Sequence, residues 1–343
     1  MSFTKEKRIQ IKIYILEKLD SGDQELIKKT TDVFGISDKT VYRYLQEMVN
    51  EGILIKTNRQ YALINEEFKY HFKRTEALEQ GEDFIYSHYI LKHIADLKTN
   101  LCSIWDYGFT EIMNNAIDHS ESDNIRIIVR RNRLRTSILI IDDGIGIFEK
   151  IKKKYQLQTV DDAVNELFKG KLTTDPDHHS GEGIFFTSRL MDYFAAVSCG
   201  SIFTHNKYSE ISQEISVFGS GRIRKNKRGT LIYMSLSNYS NKNALDIFNS
   251  YASIEGGFTK TSIPLKNIYD MPPVARSQAK RLVRRLGDFE EVILDFEGME
   301  AIGQGFAHEL FVVFQNEHKN TRLIPINSNE VITKMIAHVL NTR

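Results

Sequence analysis

Hydrophobic residues recur at helical spacing through the first fifty residues of the chain. The segments IQIKIYILEKLD (9–20), QELIKKTTDVF (24–34) and ISDKTVYRYLQEMVN (36–50) repeat apolar residues at intervals of three and four, which predicts three amphipathic helices. Ser37 is a suitable N-cap for the third helix, and Gly35 falls in the turn before it. The next segment, ILIKTNRQYALI, predicts a hairpin with Asn58 and Arg59 near its tip.

A fourth helical pattern, FTEIMNNAIDH (109–119), carries an ordered polar face. Glu111, Asn115 and Asp118 share this face, opposite a continuous apolar one. The polar face offers carboxylate and amide oxygens with no cation between them, which suits acceptance of hydrogen bonds or binding of a hard metal ion. Taken alone, the pattern is also compatible with an ordinary solvated helix face.

The middle of the chain alternates helical and strand-like patterns. EFKYHFKRTEALEQGEDF is interpreted as a linker with a helical start, and SHYILKHIADLKTNLCSIW as one long helix leading into 109–119. Strands are predicted for IRIIVR, SILII, AAVSCGSIF, EISQEISVF and GTLIYMSL. The fold class is therefore α+β, with helices on one face of a mixed, largely antiparallel sheet.

Two glycine motifs occur next to predicted elements, one after a strand and the other before a helix. The strand SILII ends in Asp142-Asp143-Gly144-Ile145-Gly146, and the helical stretch that follows cannot pair back as a hairpin. These glycines are interpreted as letting the backbone approach a ligand. Gly181 and Gly183 stand just before an apolar helix, whose free N–H groups attract phosphate.

The last ninety residues predict a small parallel unit. Strands are expected in GGFTKTSIPL, EEVILDFEGMEAI and TRLIPINSN, separated by helices in SQAKRLVRRLGDF and FAHELFVVFQNEH and followed by a helix in VITKMIAHVL. This order is a βαβα arrangement, which requires parallel strand pairing.

Composition narrows the class of protein further. The 343 residues suffice for two or three domains. The 46 Lys plus Arg against 45 Asp plus Glu give a formal net charge of +1, so the overall charge does not indicate binding to nucleic acid or to an anionic membrane. The start lacks an apolar signal region, and no run is long enough to cross a membrane. The two cysteines, Cys102 and Cys199, lack metal-site spacing and suit a reducing compartment, so the expected location is cytoplasmic.

The first module resembles a winged helix-turn-helix through G-I-S-D-K-T-V-Y-R-Y-L, followed by E-G-I-L and a short hairpin. The resemblance implies that residues 1–68 bind DNA, with Lys39, Thr40 and Arg43 on the recognition helix and Arg59 on the wing. The alternative is a module for protein contact, since 11 basic against 9 acidic residues in 1–60 are a weak footprint for DNA. A homodimer would supply affinity that one module lacks.

The central motifs, taken in order, resemble the GHKL ATPase superfamily of gyrase, heat-shock chaperones, histidine kinases and MutL. E-I-M-N-N-A-I-D-H matches the N box, D-D-G-I-G and S-G-E-G-I the glycine boxes, and Gly229-Thr230 the late threonine. The resemblance implies an α/β sandwich over 105–240, preceded by a linker and leading helix at 69–104, that binds ATP and Mg²⁺. The implied nucleotide-binding residues are Asn115, Asp118, Asp142, Gly144, Gly146, Lys171, Gly181, Gly183 and Thr230.

Specific roles follow from the same resemblance. Asn115 would hold Mg²⁺, Glu111 would act as general base toward the attacking water, and Asp142 would accept a hydrogen bond from the adenine amine. Residues 147–180 would form a lid in which Lys171 reaches the γ-phosphate, together with Thr173 and Thr174. His179 replaces the leading glycine of the third box.

The histidines allow other interpretations. His178 and His179 suggest a metal site, but adjacent side chains point apart, which favours a polar loop. His119 either orients a phosphate or caps its helix. His88 and His93 lack the acidic neighbour of a histidine-kinase phosphoacceptor and are interpreted as ordinary helix residues.

The C-terminal stretch V-I-L-D-F-E-G-M-E-A-I-G-Q-G-F-A-H-E-L-F resembles STAS domains, which implies a STAS-like domain over 255–343 and a possible protein partner there. STAS antagonists carry a phosphorylatable hydroxyl at the start of the following helix, whereas this chain has Ile302-Gly303-Gln304-Gly305. A nucleotide-sensing or docking surface is expected instead. Five residues form a basic helix face, which is either solvated or in contact with DNA or a neighbouring domain: Arg276, Lys280, Arg281, Arg284 and Arg285.

Three functional hypotheses remain open from sequence. The preferred one is a cytoplasmic transcriptional regulator, with no membrane partner, in which ATP binding and slow hydrolysis alter the placement of the winged helices. The second is a protein serine kinase of the anti-sigma type that acts on a partner STAS protein. The third is an ATP sensor that does not hydrolyse its ligand.

Overall fold

The chain has an α+β architecture built on three β-sheets. The computed structural model describes residues 3–58, 60–172, 181–216, 218, 228–252 and 257–341. A two-stranded sheet lies in the N-terminal module, a six-stranded sheet in the centre and a three-stranded sheet at the C-terminal end. No helix in the described parts of the chain combines the length and the apolar character that crossing a bilayer requires.

The N-terminal module contains the three predicted helices and the predicted hairpin. They are α1 (Lys5–Asp20), α2 (Leu26–Phe34), α3 (Asp38–Asn50), β1 (Leu54–Thr57) and β2 (Gln60–Leu63), with antiparallel pairing of the strands. Gly35 ends α2 with a φ of 61°, a backbone conformation that glycine adopts without steric cost. Val41, Leu45 and Met48 are fully buried, which confirms the predicted inner face of α3.

The central sheet has the strand order β3-β4-β5-β8-β6-β7. Its strands are β3 (Glu66–Lys73), β4 (Asn124–Arg131), β5 (Arg135–Asp142), β6 (Tyr193–Ser198), β7 (Ser201–Phe203) and β8 (Thr230–Ser237). All five pairings are antiparallel, so the prediction of a mixed sheet is wrong. The segment predicted as a linker forms the edge strand β3, because Phe68, Tyr70 and Phe72 alternate toward the core.

The helices of the central region differ from the sequence prediction in two places. They are α4 (Arg74–Gln80), α5 (Glu82–Ile85), a π turn (Tyr86–Ile90), a 3-10 turn (Leu91–His93), α6 (Thr99–Asn114), a second π turn (Asn115–His119), α7 (Ile147–Lys154), α8 (Val160–Lys169), α9 (Gly183–Leu190), α10 (Tyr208–Ser216) and α11 (Ala244–Tyr251). The long helix predicted over 87–105 is broken between Ile94 and Lys98, where α6 takes a new N-cap.

Residues 210–216, within the segment EISQEISVF that was predicted as a strand, belong to helix α10. Ile211 and Ile215 are four residues apart and both are buried against the sheet, which is helical and not strand periodicity. They pack on Leu139, Ala195 and Tyr233, on the sheet face opposite α6 and α9. Helices therefore cover both faces of the sheet, although only one covered face was predicted.

The C-terminal region is the predicted parallel unit. Its elements are β9 (Lys260–Pro264), α12 (Leu265–Ile268), α13 (Arg276–Val283), a 3-10 turn (Leu286–Asp288), β10 (Glu291–Asp295), α14 (Gln304–His308), a π turn (Glu309–Phe314), α15 (Gln315–Glu317), β11 (Arg322–Ile326) and α16 (Glu330–Asn341). Strand β10 pairs in parallel with both β9 and β11. One continuous cluster of buried residues joins this unit to the central region.

A buried ion pair lies where the two regions meet. The Nζ of Lys169, at the end of α8, is 2.6 Å from the Oε1 of Glu166, and both side chains are almost completely buried. Burial lowers the pKa of Lys169 to about 8, against the opposing effect of Glu166. The ammonium also donates to the carbonyls of Arg281 and Arg284 in the C-terminal region.

We expect Lys169→Met to lower the free energy of unfolding by about 3 kcal/mol, because it removes one of the two cations that pair with the buried Glu166 and leaves the carbonyls of Arg281 and Arg284 without this donor. Chemical denaturation followed by circular dichroism measures the change. The matched control is Lys152→Met, which removes a partly exposed ammonium 3.4 Å from Glu149. Equal stability of the two variants would contradict the expectation.

Candidate functional site

A cavity of about 290 Å³ lies between α6, the start of α7, the end of α8, the start of α9 and the sheet. Six residues that the sequence analysis assigned to a site line it, although they come from four separate motifs: Glu111, Asn115, Asp142, Gly181, Gly183 and Thr230. Its volume is at the lower end of the range of about 300–1,000 Å³ typical of ligand pockets. The fold thus brings most of the predicted site together in one cavity.

The helix that carries the predicted polar face changes its geometry at Asn115. The backbone changes there from α-helix to a π turn, which is wider than an α-turn. Asp118 is therefore exposed and does not line the cavity, while His119 does. The structure thus does not bring Asp118 to the cavity, because the change of helix geometry at Asn115 breaks the period of 3.6 residues per turn on which the polar face was predicted.

Asn115 presents its amide oxygen to the cavity. Its Nδ2 donates to the carbonyl of Glu111 at 2.8 Å, so Oδ1 is the atom that remains as an acceptor. An amide oxygen is a suitable ligand for Mg²⁺, which keeps several waters and needs few protein ligands. Among the described residues, no group of three His, Cys, Asp or Glu forms a separate metal cluster.

The carboxylate of Glu111 lies directly against the first residue of α9. A Cβ atom placed on Gly183 would be 2.0 Å from the Oε2 of Glu111, so a larger residue here would displace the carboxylate. The start of α9 presents backbone N–H groups that have no partner inside the helix. A carboxylate and an anion-binding helix end therefore face the same part of the cavity.

Asp142 ends β5 inside the cavity and is 6% exposed. Its Oδ1 accepts hydrogen bonds from the backbone N–H of Gly144 at 3.0 Å and of Thr230 at 3.2 Å. Burial raises the pKa of this carboxyl to about 6, against the lowering effect of these hydrogen bonds. Asp142 is a buried hydrogen-bonding group at the base of the cavity.

The glycines after Asp142 are closely packed within the chain. A Cβ on Gly144 would lie 1.8 Å from the carbonyl oxygen of Ser120, and one on Gly146 would lie 2.4 Å from the Oγ of Ser198. Neither glycine lines the cavity. The structure therefore does not place these two glycines at the cavity, where they were predicted; they join the end of β5 to the end of the second π turn and to β6.

Lys171 points away from the cavity. Its Nζ donates to the carbonyl of Asp288 at 3.0 Å and lies 4.8 Å from the ring centroid of Phe289. The predicted contact with a γ-phosphate is not made in this arrangement, because the C-terminal region offers the ammonium a carbonyl and an aromatic face.

Several predicted residues fall outside the described parts of the chain. They are Arg59, Thr173, Thr174, His178 and His179. Of the two other histidines considered, His88 stacks on Phe84 and His93 stacks on Phe68 while hydrogen-bonding to Tyr70.

Sequence reasoning missed Lys150 and the apolar walls of the cavity. The Nζ of Lys150 donates to the carbonyl of His119 at 2.8 Å, and the side chain lines the cavity. The run of lysines in IFEKIKKKYQ gave no reason to select this one, but its position four residues after Gly146 on the cavity side of α7 distinguishes it. The apolar walls are formed by Ile112, Ile140, Ile147, Ile151, Leu167, Ile184, Phe185 and Ile232.

A second candidate surface is the outer face of α3. Lys39 and Arg43 are exposed, and Thr40 is half-buried with its hydroxyl 3.1 Å from that of Ser37. Tyr42 is 51% exposed on the same helix. The N-terminal half of α3 therefore presents Lys39 and Arg43 to solvent, as the sequence predicted, and also the aromatic side chain of Tyr42.

Comparison with known proteins identifies the C-terminal part of the chain. Residues 278–333 match the family model of a STAS-like domain of unknown function, DUF4325. No curated protein matches the chain. In the structure, α14 begins at Gln304 after Gly303, so no hydroxyl side chain stands at its start. The matched residues run from α13 through β10, α14 and β11 to the start of α16 and form a STAS-like domain, as the sequence predicted.

Proposed function

We propose that the protein is an ATP-binding regulator of transcription, in which the nucleotide state of the central cavity biases the placement of a DNA-binding N-terminal module. The observation that carries this proposal is the meeting of Glu111, Asn115, Asp142 and Thr230 in one cavity beside the start of α9. These residues are spread over more than a hundred positions of the sequence, from Glu111 to Thr230, and their side chains have the chemistry that Mg-ATP requires.

The parts of the nucleotide correspond to distinct groups. Asp142 is a buried acceptor for the exocyclic amine of adenine, whereas guanine has a carbonyl at that position. The start of α9 and the ammonium of Lys150 supply donors and positive charge for phosphates. Asn115 would hold Mg²⁺ through Oδ1, and the bound ion would neutralise charge on the phosphates.

Glu111 is placed to act as a general base. Its carboxylate contacts Gly183 at the start of α9, where phosphates are expected, so a water between the carboxylate and the terminal phosphate could be deprotonated as it attacks. Slow hydrolysis of ATP is the reaction that this arrangement supports.

Strand β5 connects the cavity to the N-terminal module. It begins at Arg135, whose guanidinium is 3.2 Å from Asp20 of α1 and 2.6 Å from Glu214 of α10, and it ends at Asp142. Leu134, just before the strand, belongs to the buried core of the N-terminal module. A ligand that shifts the end of β5 thus has a continuous packed route to α1, which supports coupling between the two sites.

The experiment is to select a DNA duplex from a random pool with the full-length protein and to measure its affinity with and without Mg-ATP at fixed salt. We expect ATP to change the affinity, because the two sites are coupled through β5. We also expect Lys39→Ala with Arg43→Ala to weaken binding about tenfold or more and to reduce its salt dependence, because two phosphate-contacting cations are removed.

The control for the DNA experiment is Lys319→Ala with Lys334→Ala, which changes the net charge equally but lies in the STAS-like region. An affinity that is the same with and without ATP would contradict the coupling. An α3 variant that binds as tightly as the control would contradict the assignment of α3 to DNA.

A further inference from the structure

The end of helix α8 and the end of helix α13 are held together by two cations, each supplied by the opposite region. The Nζ of Lys169 on α8 donates to the carbonyls of Arg281 at 3.3 Å and Arg284 at 2.8 Å, at the end of α13. In return, the Nη2 of Arg285 donates to the carbonyls of Gly170, at 3.4 Å, and Lys171, just beyond the end of α8. Each cation thus satisfies carbonyls that have no partner within their own helix.

The carboxylate of Glu166 lies between these two cations. It is 2.6 Å from Lys169 and 3.3 Å from the Nη1 of Arg285, and its side chain is 2% exposed. Arg285 also lies over the ring of Tyr155, which follows α7, at 5.4 Å from its centroid. A charge network of this kind in a buried interface fixes geometry, because moving either helix would leave a buried charge unpaired.

The same end of α8 forms a wall of the cavity. Leu167, Gly170 and Leu172 line it, so the residues held by Arg285 on one side face the ligand space on the other. Gly170 packs closely against the C-terminal region, since a Cβ at this position would lie 2.7 Å from the ring of Phe258.

Helix α9 is anchored to the C-terminal region as well. The Nη2 of Arg189 donates to the carbonyl of Ser262 on β9 at 3.0 Å, and its guanidinium lies 3.3 Å from the ring centroid of Phe185. Phe185 lines the cavity and packs against Phe258, with ring centroids 4.5 Å apart. Two walls of the cavity are therefore held from outside by the C-terminal region.

We infer that the STAS-like region is a structural component of the nucleotide site, and that Arg285 is a positioning residue that sets nucleotide affinity by holding the segment Gly170–Leu172. The inference rests on the proposed function and gives the region a role that requires no phosphorylatable hydroxyl. Arg285 acts through the backbone of this segment and does not itself reach the cavity.

The test compares Arg285→Met with Arg284→Met in the full-length protein. Both substitutions remove a guanidinium and keep an apolar stem, but the side chain of Arg284 is exposed and makes no ion pair among the described residues. Two quantities are measured: hydrogen–deuterium exchange of peptides covering 160–172 without nucleotide, and the Kd for the fluorescent nucleotide mant-ATP with Mg²⁺. Arg285→Lys serves as the conservative variant, since it keeps the charge near Glu166 but cannot reach both carbonyls.

We expect Arg285→Met to exchange faster than wild type across 160–172 and to bind mant-ATP about tenfold more weakly, with Arg284→Met unchanged in both and Arg285→Lys intermediate. Two results for Arg285→Met would overturn the inference. One is hydrogen–deuterium exchange across 160–172 at the wild-type rate; the other is faster exchange together with a Kd for mant-ATP within about twofold of wild type. If Arg285→Met fails to fold, Arg285→Lys decides by the same two criteria. A wild-type protein that binds no mant-ATP would instead overturn the proposed function, whatever the exchange shows.

Discussion

Replacing Glu111 with Gln is expected to lower the rate of ATP hydrolysis by about 10²–10⁴-fold while ATP still binds, because the amide cannot take a proton from the attacking water. The substitution preserves the shape of the side chain at its contact with Gly183, where space is restricted. Release of labelled phosphate from γ-labelled ATP, measured with Mg²⁺ over time, gives the rate. The Kd for ATP, measured separately, shows that the site remains occupied.

The matched control for this experiment is Glu149→Gln on α7. This residue undergoes the same chemical change near the cavity, but its carboxylate pairs with Lys152 and does not line the cavity. Its hydrolysis rate should equal that of wild type. A Glu111→Gln variant that releases phosphate as fast as Glu149→Gln would exclude Glu111 as the base.

Replacing Asp142 with Asn is expected to weaken ATP binding by about 10²–10³-fold and to shift selectivity toward GTP. The backbone N–H groups of Gly144 and Thr230 both point at Oδ1, so in the variant the amide oxygen is held at that position. The NH₂ group of Asn then faces the exocyclic amine of adenine, and two donors cannot form a hydrogen bond with each other. The same NH₂ group can donate to the carbonyl of guanine. Calorimetric titration with Mg-ATP and Mg-GTP measures both affinities.

The raised pKa of Asp142 provides a control for folding. Because the pKa in the folded protein is about 6 and the reference value is 3.8, the folded state holds this proton more tightly than the unfolded chain does. The stability contributed by the protonated group is therefore present below the reference value and is lost as the pH rises through about 6. Asn cannot ionise, so the variant should be at least as stable as wild type at a pH of about 7.5.

The same pKa predicts a pH dependence of binding. The advantage of wild type over Asp142→Asn in ATP affinity should shrink as the pH falls through about 6, because a protonated carboxyl is a weaker acceptor. Asp118→Asn, which changes an exposed carboxylate outside the cavity, should bind ATP as wild type does. A weakened Asp118→Asn variant would support the sequence assignment of this residue against its placement in the structure.

Sequence patterns predicted the elements that depend on local periodicity. The three N-terminal helices, the hairpins and the parallel C-terminal unit could be recognised because their apolar positions repeat within each element. The elements that were predicted wrongly depend on tertiary contacts. Strand β3 lies at the sheet edge, where most of its residues are exposed, so its strand pattern is weak, and α10 contains isoleucines, whose β-branched side chains favour strands.

The cavity residues also divide into those that the local sequence could identify and those whose position depends on the tertiary structure. Glu111, Asn115, Asp142, Gly183 and Thr230 stand in short ordered motifs, so their type and spacing could identify them. The displacement of Asp118 depends on a π turn, and the orientation of Lys171 depends on a carbonyl of Asp288, more than a hundred residues away. Neither leaves a signal in the local sequence.

The most direct test of the central claim, that the cavity binds ATP, is hydrogen–deuterium exchange of the wild-type protein with and without saturating Mg-ATP. We expect slower exchange in peptides that cover 108–119, 142–150 and 183–190, because residues of these segments line the cavity. Unchanged exchange in all three segments, with ATP demonstrably present in excess, would contradict the claim.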